Sequence, residues 1–328
     1  MRRTFASACR ALTIALAAAL MGAAAQAQTF PQRPVSIVVP TTAGGTADIL
    51  ARLIGPKLAE KWGQPVVVEN KPGAGTLVGS EYVARAQPDG HTLMLTFNEL
   101  ATLPAINKNA RVDVVRDYTR IGQIGSLPVL ILAHPSMQPD TLKDLISTLQ
   151  ASPGKYTYSS NGAGSVLQLY TEMFKREAKV DVLHIPYRGA LEASMALLAG
   201  EVDVLVQFGS GNVMSYVTTG KAKAYAVASA ERLAGLPEVP TTAEAGLPGL
   251  RLEAWYGLFG PAGMDPALVE RINTDLIEAL RSPDVVKRFA AINMQARPGS
   301  TADFDAFFRD EYKRWTELIQ AAGIQSNQ

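Results

Sequence analysis

The stretch Val35-Ser36-Ile37-Val38-Val39-Pro40-Thr41-Thr42-Ala43-Gly44-Gly45-Thr46-Ala47-Asp48 carries the clearest folding signal in this 328-residue chain. It opens with a β-branched apolar run, which is typical of a buried strand. Beyond the paired glycines, apolar side chains recur at helical spacing, namely Ile49, Leu50, Leu53, Ile54 and Leu58. Gly63 is expected to end this helix, and Pro56 is expected to kink it or end it early. The stretch therefore predicts a strand, a glycine-rich turn and a helix.

Strands and helices are predicted to alternate along the rest of the chain, which indicates an α/β fold. The first series continues with strands at 66–68 and 92–97 and a helix at 76–86. The second series has strands at 129–133, 156–159, 182–185, 202–207 and 224–228, with helices at 141–150, 166–176, 190–199 and 213–219. A tail follows with a strand at 255–259 and helices at 266–281 and 301–321.

Two α/β series and a tail predict two lobes with mostly parallel sheets, in which the tail returns to the first lobe. The first lobe is expected to contain residues 28–125 and 250–328, and residues 126–249 form the second lobe and the return connection. A ligand would bind in the cleft between them, because open α/β sheets bind ligands at the carboxyl ends of their strands.

The turn at residues 40–48 is the first candidate for ligand contact. Gly44 and Gly45 let the backbone approach a ligand, and the amides that open the following helix suit an anion. Thr42, Thr46 and Asp48 add polar side chains. The alternative is a plain turn in which Thr46 or Asp48 caps the helix.

A second turn, Ser159-Ser160-Asn161-Gly162-Ala163-Gly164-Ser165, also follows a strand and opens a helix. Its hydroxyl, amide and backbone N–H groups can hold a carboxylate without a formal positive charge. The candidate contacts in this turn are Ser159, Asn161, Gly164 and Ser165. Two such turns, one in each series, are what a cleft that closes on an acidic ligand requires.

Other strand ends supply further candidates for the pocket wall. Thr96 and Asn98 end a strand of the first series, and Gln207 and Phe208 end one of the second. Arg188 also follows a strand, but a solvated or ion-paired arginine is the favoured interpretation there.

The sequence offers no recognisable catalytic, metal or cofactor motif. His91, His134 and His184 are the only histidines, and their spacing matches no metal motif, so each is interpreted as structural. The run Pro72-Gly73-Ala74-Gly75-Thr76-Leu77-Val78-Gly79 departs from a dinucleotide fingerprint by one position and is interpreted as a turn with tight helix packing. No catalytic residue, metal ligand or cofactor is therefore predicted, and the protein is not expected to be an enzyme.

The N-terminus predicts export. Arg2 and Arg3 precede an apolar run, and Ala25-Gln26-Ala27 matches a signal peptidase site, so residues 1–27 are predicted to be removed by a cut after Ala27. An uncleaved anchor is the alternative. Removal also takes away Cys9, the only cysteine, and leaves 28 basic against 30 acidic residues. This near balance argues against a nucleic-acid partner, and the expected location is the periplasm.

Several segments together resemble the Bug (TctC-like) family of extracytoplasmic solute receptors for tripartite tricarboxylate transporters. They are 31–35, 43–48, 63–75, 88–93, 184–189, 199–203, 236–241 and 255–258, in this order along the chain. The resemblance implies a two-lobed periplasmic-binding-protein fold of the Venus flytrap type. It also implies carboxylate contacts at Gly44, Gly45, Thr46 and Asp48 in the first lobe, and at the second turn in the other lobe. Thr41-Thr42-Ala43 departs from the family pattern, and the residues after Phe97 match no pattern.

The leading hypothesis is a monomeric periplasmic receptor that binds a small carboxylated solute and delivers it to membrane transporter subunits. One alternative is a ligand-sensing module for a membrane partner such as a sensor kinase. A secreted α/β hydrolase is the third hypothesis. The identity of the carboxylate is left open.

Overall fold

The computed structural model describes residues 30–107 and 110–322. The predicted signal peptide and its cut after Ala27 lie outside these residues. Within the described ranges, no helix combines the length and apolar character that a membrane span requires.

The described residues form ten strands and ten helices, which alternate as an α/β chain. The strands are β1 (Val35–Val39), β2 (Val66–Asn70), β3 (Thr92–Phe97), β4 (Tyr118–Ala133), β5 (Thr157–Ser160), β6 (Leu183–Pro186), β7 (Val204–Phe208), β8 (Lys223–Val227), β9 (Glu253–Pro261) and β10 (Gln295–Ala296). The helices are α1 (Thr46–Trp62), α2 (Leu77–Ala84), α3 (Glu99–Ile106), α4 (Leu142–Gln150), α5 (Val166–Ala178), α6 (Ala190–Ala199), α7 (Gly211–Thr218), α8 (Pro266–Leu280), α9 (Pro283–Ala291) and α10 (Thr301–Ala322).

All the strands belong to one curled sheet with the order β2-β1-β3-β9-β4-β7-β5-β6, and β8 and β10 also pair with β4. In the first lobe, β1 pairs in parallel with β2 and β3, and β9 lies antiparallel between β3 and β4. In the second lobe, β5 pairs in parallel with β6 and β7, while β7 and β8 run antiparallel to β4. The two-lobed α/β fold is as predicted. The sheets are parallel only in their outer strands, because the long strands β4 and β9 run against their neighbours.

Strand β4 is shared by both lobes. Its first part pairs with β9 as far as Pro128, and its last part, from Val129, pairs with β7 and β8. In that last part the side chains alternate between two cores, with Val129 and Ile131 on one side and Leu130 and Leu132 on the other. This alternation is the normal period of a strand buried on both faces.

Local sequence signals explain most helix ends. Gly63 ends α1 in the left-handed conformation, with its N–H bonded to the carbonyl of Ala59. Thr141 caps α4 and Ser165 caps α5 through side-chain oxygens, as such residues commonly do. Pro56 does not end α1, because the helix continues to Trp62. Pro56 is exposed, so water can satisfy the carbonyl that loses its helical partner.

The strand and helix bounds differ most from the sequence prediction around residues 98–128 and 283–296. Helix α3 follows Phe97, where no pattern had been matched, and β4 begins at Tyr118 instead of 129. Helix α9 and strand β10 lie between the two helices predicted for the tail. The remaining predicted strands and helices are present with shifts of a few residues at their ends.

Gly79 sets how closely α2 approaches the segment before the first candidate turn. A Cβ placed on Gly79 would lie 2.7 Å from the Cβ of Pro40 and 2.9 Å from the carbonyl oxygen of Lys71. Only a glycine allows this approach without movement of the backbone. The tight helix packing predicted for the run at 72–79 is therefore present.

Gly79→Ala is expected to destabilise the protein by about 1–3 kcal/mol, because the added methyl group overlaps backbone atoms that cannot move independently. Urea denaturation followed by circular dichroism measures the effect. Gly299→Ala is the matched control, since its Cβ would meet nothing closer than 3.7 Å. Equal unfolding midpoints for both variants would contradict the packing argument.

Candidate functional site

Two of the cavities between the lobes are lined by residues selected from the sequence. Cavity 1 has a volume of about 190 Å3 and is lined by Thr46 of the first lobe, by Leu127 of β4 and by second-lobe residues, namely Ala190, Leu191, Ser194, Gln207, Phe208, Ser210, Asn212, Val213 and Tyr216. Cavity 2 has a volume of about 210 Å3 and is lined by Ala74, Gly75, Glu99, Leu103, Ile106, Asn107, Asn161, Ala163, Gly164 and Ser165. Neither set contains a lysine or an arginine.

Cavity 1 is surrounded by the N-termini of three helices. Thr46 opens α1, Ala190 opens α6, and Ser210 is the residue before α7. None of these three helix starts has a side-chain cap hydrogen bond. Their leading N–H groups and helix dipoles make this cavity electropositive without any charged side chain.

Gln207 and Phe208 form one wall of cavity 1. The Gln207 amide nitrogen donates to the carbonyl of Ala190 and to the hydroxyl of Ser194, both at 3.2 Å. The Gln207 amide oxygen accepts from the N–H of Phe208 at 2.9 Å. Gln207 therefore fixes the start of α6 against the end of β7. Phe208 supplies apolar wall, and its ring packs edge-on against Tyr170.

Asp48 organises the first candidate turn from inside. It is 3% exposed, and its carboxylate accepts from the N–H of Gly44 at 2.9 Å and from Arg52 at 3.0 Å. The hydrogen bond from Arg52 and that from the Gly44 backbone hold the pKa of Asp48 below its usual range, although burial acts in the opposite direction. Asp48 thus orders the turn, while Thr42 and Gly45 remain exposed.

Tyr256 of β9 is buried near residues of both cavities. Its hydroxyl lies within hydrogen-bonding reach of Thr46, and its ring stacks on Phe97 with centroids 5.7 Å apart. Burial, and to a smaller degree the nearby carboxyl of Glu99, raise the pKa of Tyr256, whereas the Thr46 hydroxyl lowers it. One phenol is therefore close both to a residue of cavity 1 and to a residue of cavity 2.

Glu99 is the only acidic or basic side chain among those that line cavity 2. It begins α3, whose next residue, Leu100, is fully buried in the main core. Its Oε2 is buried and has no hydrogen-bond partner within residues 30–107 and 110–322. Burial raises the pKa of Glu99 to about 8, opposed only by its own backbone N–H. At neutral pH this carboxyl is therefore mainly protonated.

The second candidate turn uses most of its N–H groups internally. The N–H of Gly162 donates to the Ser160 hydroxyl at 3.2 Å, and that of Gly164 donates to Gln168 Oε1 at 2.6 Å. The N–H of Ser165 donates to the carbonyl of Gly162. Asn161 lines cavity 2, and its Oδ1 is a second buried oxygen that no described residue contacts by a hydrogen bond.

Seven candidate residues lie outside the linings of both cavities, namely Thr42, Gly44, Gly45 and Asp48 of the first turn, and Thr96, Asn98 and Ser159. Asn98 donates to the carbonyl of Glu253 at 2.9 Å, and Ser159 donates to the carbonyl of Ala193 at 2.9 Å. Thr96 is fully buried in β3, and its hydroxyl has no partner among the residues described. Asn98 and Ser159 therefore position the strands and helices around the cavities.

His184 is packed within the second lobe. His184 stacks on Tyr158, and its Nε2 lies 2.6 Å from the Ser160 hydroxyl. Burial lowers the pKa of His184. Ser160 is 0% exposed, which leaves its hydroxyl inaccessible to a substrate, so this serine–histidine pair lacks the exposed nucleophile that catalysis needs.

The segment before α2 also reaches cavity 2. Ala74 and Gly75 line it, and Ala74, Gly75 and Thr76 all have left-handed backbone conformations, with φ values of 46°, 59° and 74°. Such conformations cost about 1–2 kcal/mol for residues other than glycine. Strain of this kind at a cavity wall is common at functional sites.

The sequence interpretation did not identify Glu99, Tyr256 or the starts of α7 and of the strained segment as parts of the site. The sequence did contain a signal for Glu99, because it lies just after a strand end, and Asn98 was selected for that reason. Tyr256 carried no such signal, since it lies inside β9. Among the described residues, no group of three or more potential metal ligands is close enough to hold an ion.

A cleft between two α/β lobes, lined by helix N-termini and crossed by shared strands, defines the solute-binding protein class. The comparisons with known proteins agree. Residues 50–324 match the family described as "Tripartite tricarboxylate transporter family receptor" (TctC). The chain belongs to this family, which is one of receptors and not of enzymes.

Three solved structures illustrate the similarity. The periplasmic binding protein BugD is 31% identical, with a TM-score of 0.75 and coverage of 91% of this chain and 100% of that chain. MatC (Rpa3494) from Rhodopseudomonas palustris, solved with bound malate, is 33% identical, with a TM-score of 0.74 and coverage of 88% and 100%. R. palustris Rpa4515, solved with adipate, is 30% identical, with a TM-score of 0.77 and coverage of 90% and 99%. The predicted relationship to the Bug and TctC proteins is confirmed.

Glu99→Gln is expected to change how stability depends on pH. Between pH 4.5 and about 8 the folded protein holds a proton on Glu99 that the unfolded chain has already lost. Wild-type stability should therefore fall as pH rises through this window, by up to about 1.4 kcal/mol per pH unit from this group. The Gln variant lacks that contribution, so its stability relative to wild type should increase with pH.

Chemical denaturation at a series of pH values measures the difference between the two proteins. Glu60→Gln, on the exposed side of α1, is the control and should follow the wild-type curve. A constant difference between Glu99→Gln and wild type across the window would show that Glu99 is ionised in the folded protein.

Proposed function

We propose that this protein binds a small carboxylated solute in the cleft between its lobes and presents it to a tripartite tricarboxylate transporter. The observation that carries the proposal is the convergence of three uncapped helix N-termini on cavity 1, with no lysine or arginine in its lining. Backbone N–H groups and helix dipoles can bind a carboxylate through charge-assisted hydrogen bonds. Such a site holds an anion without an ion pair, which suits a ligand that must later be released.

The bound ligands of relatives support the same ligand class. MatC carries malate and Rpa4515 carries adipate, and both are small dicarboxylates. In this chain Gly44, Gly45 and Thr46 would contact a carboxylate from the first lobe. Gln207 and Phe208 would close the opposite wall, and the second turn would face the far end of the ligand.

The domain division follows from the sequence prediction and is part of the proposal. Residues 28–125 and 250–328 would move as one lobe and residues 126–249 as the other, with closure around the ligand. The exported protein would be cut after Ala27, act in the periplasm as a monomer and meet its transporter by encounter. A family of transporter receptors favours this role over a sensory module.

Gly45→Val is expected to reduce ligand affinity about tenfold or more, because the side chain would obstruct contact with the first amides of α1. The Gly45 backbone has φ −73° and ψ 166°, which valine adopts readily, so the fold should be retained. Isothermal titration calorimetry with malate, adipate and a panel of mono-, di- and tricarboxylates measures the affinities.

Gly299→Val is the control for a glycine outside the first turn and should bind like wild type. Thermal denaturation verifies that each variant is folded. Unchanged affinity in Gly45→Val would move the carboxylate away from the start of α1. A folded wild-type protein that binds nothing in the panel would overturn the proposed ligand class.

A further inference from the structure

We propose that Glu99 and Asn161 bind a primary ammonium group, so that the preferred solute carries an amino substituent in addition to its carboxylate. This inference rests on the proposed function, because the carboxylate end is taken to occupy cavity 1. The ammonium end would occupy cavity 2, with Glu99 contributed by the first lobe and Asn161 by the second.

The two residues offer hydrogen-bond acceptors to the same cavity from opposite lobes. Both line cavity 2, and both Glu99 Oε2 and Asn161 Oδ1 are buried without a hydrogen-bond partner in the described part of the chain. A buried oxygen that loses water and gains no donor is costly. A ligand group that donates to both oxygens would remove this cost when the lobes close.

Three backbone N–H groups of the second turn are already used within the turn. The N–H groups of Gly162, Gly164 and Ser165 are already bonded within the turn. Helix α5, which follows the turn, is capped by the Ser165 side chain. Cavity 2 therefore differs from cavity 1, where three helix starts lack such caps. One end of the cleft is suited to an anion, and the other end is suited to a donor.

The proposed solute would reach both ends of the cleft. Thr46 of cavity 1 and Glu99 of cavity 2 both affect the pKa of Tyr256, which is buried in β9. A carboxylate and an amino group separated by a few bonds would thus lie on either side of this phenol.

An ammonium group fits cavity 2 better than a hydroxyl or a second carboxylate. It carries three N–H donors, enough for both unpartnered oxygens, whereas a hydroxyl carries one. A second carboxylate would find no basic side chain in the lining and would repel the ionised form of Glu99. A cation would also stabilise the ionised form of Glu99, which burial otherwise disfavours.

The titratable groups around Glu99 belong to three neighbouring elements. They are Tyr256 on β9, Tyr170 on α5, and, next to Tyr170, Glu311 and Arg314 on α10. Burial raises the pKa of both phenols, so neither phenol ionises near neutral pH. Binding of an ammonium group to Glu99 should therefore release a proton that comes from Glu99 itself.

Calorimetry with succinate, malate and aspartate tests the proposal, because these C4 dicarboxylates differ only in the hydrogen, hydroxyl or ammonium at one carbon. The C5 series of glutarate, 2-hydroxyglutarate and glutamate extends the comparison by one methylene. Wild type should bind the amino compound of at least one series most tightly. Glu99→Gln should weaken that compound about 10- to 100-fold, with less than about a threefold change for its unsubstituted analogue.

Asn161→Ala provides an independent variant and should reduce the same preference by a smaller factor. Glu60→Gln should leave all affinities unchanged. Titrations near pH 6.5 in buffers of different ionisation enthalpy should show proton release with the amino compound and none with the unsubstituted one. The Glu99→Gln variant should lose this release.

The outcomes separate the inference from the function on which it rests. Binding of the dicarboxylates with no amino preference, or with the same preference in Glu99→Gln, overturns the role of Glu99 and leaves the carboxylate receptor in place. Tighter binding of every ligand by Glu99→Gln also overturns it, since Glu99 would then only repel anions. Absence of binding by any carboxylate overturns the proposed function and this inference together.

Discussion

The continuous strand β4 is the constraint on which the rest of the structure depends. It pairs with β9 on the first-lobe side and with β7 and β8 on the second-lobe side, so both half-sheets share one backbone. Since a strand fixes the direction and register of its neighbours, the edges of the two half-sheets come to face each other across the crossing point. The turns that end β1 and β5 then lie on opposite sides of one cleft. The cavities are a consequence of this shared strand.

Glu253 reinforces the crossing where the chain returns to the first lobe. Its carbonyl accepts from Asn98 at 2.9 Å and from Tyr170 at 2.7 Å, which belong to different lobes. Its carboxylate accepts from Ser126 at 2.8 Å and from Arg297 at 2.5 Å. Asn98 was selected from the sequence as a ligand contact, yet its amide bonds the strand that returns. A polar residue at a strand end can therefore either bond the strands that connect the lobes or contact the ligand. Its position in the sequence does not distinguish these two roles.

The parts of the fold that could be predicted from sequence are those with a local signal. The strand and helix around the first turn follow from a β-branched run, paired glycines and helical spacing.

The first part of β4 carries the opposite signal, because Gly122, Gly125 and Pro128 are unusual in strands. These glycines allow neighbouring residues to pack close to the strand. A Cβ at Gly122 would lie 2.7 Å from Asn273, and one at Gly125 would lie 2.7 Å from the carbonyl of Gln295. Contacts with residues about 150 to 170 positions away decide this strand, and no local window of sequence contains them. The site shows the same division, since the two turns were located locally, whereas the environment of Glu99 depends on α10 and on the opposite lobe.

Polar groups of the cleft that lack a hydrogen-bond partner connect the stability of the protein to ligand binding. Uncapped helix starts leave donors at cavity 1, and Glu99 and Asn161 leave acceptors at cavity 2. Each unmatched group costs free energy in the closed arrangement, and only a molecule with complementary ends can recover it at both cavities together. A ligand with one matching end would satisfy one cavity and leave the other unpaired. Selectivity can therefore arise from the polar groups left unpaired in the cleft, without any fixed ion pair within the protein.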